Sequence, residues 1–117
     1  IGGIVAPMVP DGATIQLGIG KIPSGVAQAL GRHSDLGIHS ELFSPAMADL
    51  IQQGVVTGAR KTLHPRKHVF TVAFGTPQSY AFMNDNSAFE SYPSSYVNDI
   101  RVIARHDDFV SINTAIQ

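Results

Sequence analysis

The stretch Thr14-Ile-Gln-Leu-Gly-Ile-Gly-Lys-Ile-Pro23 decides the fold. A short run rich in apolar residues is closed by Gly18 and Gly20, and Pro23 falls where the first turn of a helix accepts a proline. Val26, Ala27, Ala29 and Leu30 then supply an apolar stripe at helical spacing, up to Gly31. Strand, glycine turn and helix in that order make one α/β unit.

The same pattern recurs along the chain. Leu36 to His39 read as a second short strand. Ser44-Pro45 opens a helix carrying Met47, Leu50 and Ile51 at helical spacing, with Gly54 as its stop. His68 to Phe74 make the strongest strand, ending at Gly75-Thr76-Pro77, and a helix from about Pro77 to Met83 follows. Phe89 to Tyr92 read as a short strand, Asn98-Asp99 as the cap of a short helix through Ala104, and Phe109 to Ile112 as the last strand. Upstream, residues 1–9 end a helix and Pro10-Asp11-Gly12 marks a turn. Strands alternating with helices predict an α/β fold, a largely parallel open sheet with helices on both faces. In such sheets ligands bind in the crevice outside the carboxyl ends of the strands.

Glu41 stands out against that frame. It is one of two glutamates, Glu90 being the other, and it follows the apolar segment Leu36-Gly-Ile-His39. A carboxylate at a strand's carboxyl end, beside a turn with free backbone N–H groups, is placed for chemistry. The competing structural role is a helix N-terminal acid, because Ser44-Pro45 lies just ahead. As a nucleophile Glu41 needs an acyl substrate, positioning and partial desolvation, because a carboxylate is intrinsically weak. His39 either orients Glu41 or fills the strand end.

Composition narrows the classes. The chain has 117 residues, 44% hydrophobic and 15% charged, enough for one domain with a modest core. A net charge of −1 argues against a nucleic-acid binder. No apolar run approaches the ~20 residues that span a bilayer. Cysteine is absent, which removes disulfides, thiolate metal sites and a cysteine nucleophile, and is compatible with a reducing compartment, most simply cytoplasm. The chain starts at Ile1 and stops within Ser111-Ile-Asn-Thr-Ala-Ile-Gln117, which reads as a strand leaving its sheet; a piece of a longer protein is expected.

Two further motifs carry rival chemistry. Gly18-Ile-Gly20-Lys-Ile-Pro23 partly matches a dinucleotide fingerprint, and Glu41 lies 21 residues after Gly20, near where a ribose-binding acid belongs. Pro23 occupies the third glycine's place, however, and that glycine serves close helix–strand packing. A nucleotide-binding oxidoreductase is the rival from this motif. The segment from Arg60 to His68 holds four of the eight Lys and Arg residues. It reads as a solvated loop, with phosphate contact the alternative. His64 and His68 are four apart, but Pro65 breaks a helix that would align them, so no metal site is expected.

Five segments, in order, resemble one family: Asp11 to Pro23, Leu36-Gly-Ile-His-Ser-Glu-Leu-Phe-Ser44, Ala73-Phe-Gly-Thr76, Tyr96-Val-Asn-Asp99 and Val110-Ser-Ile-Asn113. The chain resembles the acetyl-CoA hydrolase/transferase family, nearest the 4-hydroxybutyrate or acetate/butyrate CoA-transferases, and the likeness spans nearly its whole length. The resemblance implies that residues 1–117 begin the C-terminal of two related α/β domains. It implies that Glu41 attacks an acyl-CoA thioester and then carries CoA as a glutamyl thioester, with ping-pong kinetics. Gln16, Gly18, Gly20 and Pro23 would line the CoA and acyl pocket, with Gly75 and Asn113 as further contacts. The implied partners are acyl-CoA and a short-chain carboxylate, with no metal or permanently bound cofactor and a homo-oligomeric full-length protein. A hydrolase of the same family is the alternative. Lys21, Ser24 and Pro45-Ala46 depart from the family pattern and touch acyl specificity, not the nucleophile. The isolated piece is expected to be inactive, because half the cleft would come from missing segments.

Overall fold

The computed structural model describes residues 1–115. Its elements are α1 (Gly2–Val5), a 3-10 turn (Ala6–Met8), β1 (Thr14–Leu17), α2 (Lys21–Ala29), β2 (Gly37–Phe43), α3 (Pro45–Gln52), β3 (His68–Ala73), α4 (Pro77–Met83), β4 (Phe89–Ser91), α5 (Ser94–Val97), α6 (Ile100–Ile103) and β5 (Phe109–Ile112). The strands form one sheet in the order β4-β3-β2-β1-β5, and every described pairing is parallel. This is the expected α/β architecture.

The order explains the layers. From β1 to β4 the chain steps sideways in one direction, through α2, α3 and α4, and right-handed crossovers put those helices on one face. From β4 the chain returns past three strands to reach β5, beside β1, so α5 and α6 fall on the opposite face, where α5 packs on β2 and β3. The direction of winding reverses between β1 and β5. Such a reversal leaves a crevice above the strand ends.

Parallel strands covered on both faces must be apolar on both sides. Ile15, Leu36 and Ile38 are accordingly buried in one core with Val26 of α2 and Met47 and Leu50 of α3, while Val69 is buried beside His39 on the other face. An aromatic cluster closes one end, with Phe43 edge-on to Phe89 at 5.1 Å between ring centroids and Phe70 at 5.9 Å from Phe43.

Strand β2 is longer than its sequence suggests. The apolar pattern predicts an end at His39, whereas the strand runs to Phe43, because Ser40 is buried and its hydroxyl donates to the Leu42 carbonyl at 2.9 Å. Glu41 is therefore a strand residue and not a helix-cap acid; α3 has no acid in its first turn. Helix α2 begins at Lys21, two residues before Pro23, with Gly20 as its cap at φ +118°, a conformation closed to side-chain-bearing residues. The short helix expected after Asn98-Asp99 is α6, and its cap is Asp99, whose carboxylate accepts from the Arg101 N–H at 2.8 Å; a further single turn, α5, precedes it. The basic segment is also not wholly solvated: Lys61 and His68 are buried, with Lys61 Nζ donating to the Lys67 carbonyl at 2.7 Å.

Phe43 fills the aromatic cluster and is 1% exposed. Phe43→Ala in the full-length protein is expected to lower unfolding free energy by about 3–5 kcal/mol, read as a lower urea midpoint by circular dichroism.

Candidate functional site

β2 pairs with β1 at Gly37 and Ile38, and then with β3 from His39 to Phe43. Past Ile38 the two strands are joined only by a weak contact of 3.4 Å from the Ser40 hydroxyl to the Leu17 carbonyl. That parting, next to the winding reversal, leaves a hollow of about 250 Å³ lined by Gln16, Gly18, Ile19, Glu41, Leu42, Asn113 and Thr114. Four residues singled out from sequence, Gln16, Gly18, Glu41 and Asn113, thus share one cavity although they come from β1, β2 and β5.

The β1/β5 wall of this hollow is built by side-chain amides. Gln16 Nε2 donates to Asn113 Oδ1 at 3.1 Å, and Asn113 Nδ2 returns a bond to Gln16 Oε1 at 3.0 Å. Ser111 Oγ also donates to Gln16 Oε1. Gly18 permits this closeness: a Cβ built there would lie 2.5 Å from Asn113 Oδ1. The Gly18 N–H is spent on the Ile112 carbonyl at 2.9 Å. The next amides in the turn, those of Ile19 and Gly20, have no hydrogen-bond partner among the described residues. They are donors left over at a helix start.

Glu41 is half-buried, and its Oε2 accepts from Asn98 Nδ2 at 2.8 Å. Among the described residues the ion pairs are His64 with Glu90 and Arg101 with Asp99, so no cation clamps the Glu41 carboxylate. One oxygen is held by a neutral donor. Sequence reasoning places Asn98 only in a helix-cap pattern, whereas its side chain's partner is Glu41, 57 residues away. The signal available was its place in the Tyr96-Val-Asn-Asp99 segment.

Gly20 and Pro23 do not line this hollow. They belong to a neighbouring cavity of about 430 Å³, mostly apolar, formed also by Leu17, Lys21, Ser24, Ser44, Pro45, Ala46 and Phe74. Gly18 and Ile19 border both cavities. Gly75 lines neither; it follows β3, its N–H donates to the Tyr80 hydroxyl at 3.0 Å, and a Cβ there would strike Ser79.

Beneath Glu41 the same face of β2 is packed with titratable groups. The stem of Lys61 crosses Gly37, where any Cβ would collide with it. His39 is 1% exposed, with its Nε2 2.9 Å from the Val97 carbonyl, and His106 Nε2 is 3.2 Å from His39 Nδ1. His39 therefore does not bond to Glu41 directly. Burial pushes Lys61 down to about 7, and it pushes His68 and His106 down to about 4; burial also lowers His39. His39, His68 and His106 are therefore neutral at physiological pH.

Residues 75–117 match the family description "Acetyl-CoA hydrolase/transferase C-terminal domain". Over its 117 residues the chain is 45% identical to the 4-hydroxybutyrate coenzyme A transferase of Clostridium kluyveri, covering 100% of this chain and 27% of that protein. It is also 45% identical to the succinyl-CoA:cyclohexane-1-carboxylate CoA transferase of Geobacter metallireducens, with the same coverage. Among solved structures it superposes on the 4-hydroxybutyrate CoA-transferase of Porphyromonas gingivalis with a TM-score of 0.93 and 46% identity, covering 96% of this chain and 29% of that one. The crystal structure of RipA from Yersinia pestis gives 0.92 and 47%, covering 96% and 26%. The chain spans about a quarter of the length of the curated relatives it matches. Among the described residues no helix is long and apolar enough to cross a membrane.

Two outcomes are expected. Gly18→Ala forces Asn113 away from Gln16 and breaks the reciprocal amide pair, costing roughly 1–3 kcal/mol, which a thermal melt of the full-length protein checks. The second concerns pH. An unfolded chain protonates His68 and His106 near 6.5, while the folded one resists until about 4. Their contribution is complete above 6.5 and is lost as pH falls toward 4. Replacing both by Gln should flatten the fall in denaturant midpoint across that window, relative to the parent protein.

Proposed function

The chain belongs to the acetyl-CoA hydrolase/transferase family, and from that premise we propose that the protein containing it moves coenzyme A between an acyl-CoA and a short-chain carboxylate through a glutamyl-CoA thioester on Glu41. The observation that carries this is the half-buried Glu41 carboxylate, free of any cation, in one hollow with the glycine turn. We read residues 1–117 as the first part of the protein's C-terminal domain, in keeping with the quarter-length coverage of its relatives.

The chemistry follows in balanced steps. A Glu41 oxygen attacks the thioester carbonyl, the C–S bond breaks and CoA leaves as thiolate, giving an acyl-glutamyl anhydride. The thiolate then attacks the glutamyl carbonyl and expels the first acid as carboxylate. An incoming carboxylate attacks the glutamyl thioester, and the same steps in reverse deliver the new acyl-CoA. Each attack places negative charge on a carbonyl oxygen. The free Ile19 N–H, at the border of both cavities, is the donor suited to it, since a fixed amide costs no reorganisation when charge develops. Asn98 holds one oxygen of Glu41 and leaves the other to react.

Within this scheme the larger apolar cavity, bordered by Gly20 and Pro23, takes the acyl chain, and its proximity to Glu41 through Gly18 and Ile19 supports that role. Lys21 is the one charged residue on that wall, so it bears on acyl choice. Three of the proteins named above carry a CoA-transferase name, which leaves hydrolysis and dinucleotide chemistry without support from them. Pro23 is also buried against the core where a dinucleotide site would want the third glycine.

The test uses the full-length protein with acyl-CoA and no acceptor acid. Borohydride reduction or hydroxylamine is expected to trap Glu41, as seen by peptide mass spectrometry, and Glu41→Ala should abolish exchange. An active Glu41→Ala variant with no trapped adduct would remove the proposal. Adding acetate should speed thioester loss; equal loss without it would mark a hydrolase.

A further inference from the structure

Alternate residues of a strand share a face, so His39 rises from the same side of β2 as Glu41. The hydrogen bonds of His39 fix its protonation. Its Nε2 faces the Val97 carbonyl at 2.9 Å, a group that can only accept, so Nε2 carries the proton and Nδ1 offers a lone pair. His106 Nε2, 3.2 Å from that Nδ1, must then be a donor. His106 Nδ1 is left buried with no partner among the described residues, which leaves no acceptor for a second proton there. The donors run in one sense, from His106 to His39 to Val97.

Val97 is bonded to Asn98, and Asn98 Nδ2 holds Glu41 Oε2 at 2.8 Å. Helix α5 is four residues long, a single turn that cannot hold its own shape in water. Asn98, just past its end, is exposed. Its position depends on anchors to its neighbours: Tyr96 through its hydroxyl to His64 Nε2 at 2.7 Å, Val97 through His39, and the local Asp99–Arg101 cap. Only His39 comes from the strand that carries Glu41. Its bond thus ties the backbone beside the carboxylate to the backbone beside the carboxylate's donor. Both ends are buried, His39 and Val97 each being 1% exposed.

We propose that His39 and His106 are a positioning pair that acts through the Val97 carbonyl to set Asn98, and thereby the rotamer of the Glu41 carboxylate, for acyl transfer. The inference rests on the reading of Glu41 as the nucleophile. Neither histidine touches the reacting atoms. An imidazole that only filled space could be exchanged for an apolar side chain without altering turnover by the folded enzyme.

The experiment measures kcat and KM per folded site in full-length protein carrying His39→Leu, His39→Gln, Asn98→Ala and the pair His39→Leu/Asn98→Ala, with Glu41→Ala as reference. His39→Leu is expected to lower kcat about tenfold while KM for acyl-CoA moves less than about twofold. His39→Gln, whose amide can donate to the same carbonyl, should recover most of the loss. In the Asn98→Ala background His39→Leu should have no further effect, the signature of one residue acting through another. Additive losses, or full kcat in His39→Leu, would overturn the proposal. If His39→Leu does not fold, His106→Leu and His39→Gln carry the comparison: loss in the first with near-parental kcat in the second is the result expected, and equal kcat in both overturns it. An inactive Glu41→Ala beside a fully active His39→Leu defeats this inference alone. An active Glu41→Ala defeats the nucleophile reading along with it.

Discussion

Strand β2 cannot serve both its neighbours along its whole length, and the carboxyl end of the sheet depends on how it divides. It pairs with β1 at two residues and thereafter with β3, so its second half turns away from β1. A wedge opens where the winding of the sheet also reverses. Had β2 stayed hydrogen-bonded to β1, the space lined by Glu41, Gln16 and Asn113 would be filled by a ladder. Ser40 makes the parting tolerable, because its hydroxyl satisfies a carbonyl of its own strand.

The interior on the α5 face is unusually rich in nitrogen for a protein of this charge. Lys61, His39 and His106 are buried there, and His68 is buried beside Phe89 on the other face. Burial disfavours the charged form of each, and with His39 and His106 neutral the α5 face costs far less than three buried cations would. Neutral imidazoles also have direction, since each offers one donor and one acceptor. A cluster of this kind can order a backbone segment as an apolar core cannot.

The sequence made some of this legible for physical reasons. β1, α4 and β5 have the bounds expected, because turn residues frame each of them. In sequence β2 ends four residues early, since Ser40 and Glu41 look like a strand's end, and only the three-dimensional pairing with β3 extends it to Phe43. Helix α5 has too few residues to display a period. The burial of Lys61 and His68 runs against their chemistry and depends on partners distant in the chain, such as Gly37. Of the candidate site, Gln16, Gly18, Glu41 and Asn113 converge, Gly20 and Pro23 border the adjoining space, and Gly75 stands apart. Asn98 was hidden, because a local capping pattern gave it a sufficient role that the fold assigns to Asp99.

The amide pair between Gln16 and Asn113 joins residues 97 apart in sequence. Strands β2, β3 and β4 can each dock on their predecessor as the polypeptide leaves the ribosome, but from β4 the chain must travel back past three strands to place β5 on the free edge of β1. Contacts that close so long a loop are slow to form. Until that return is complete, the β1 edge stands open to strands of other nascent chains. Biosynthesis therefore carries a vulnerable interval whose length is set by the order of the strands.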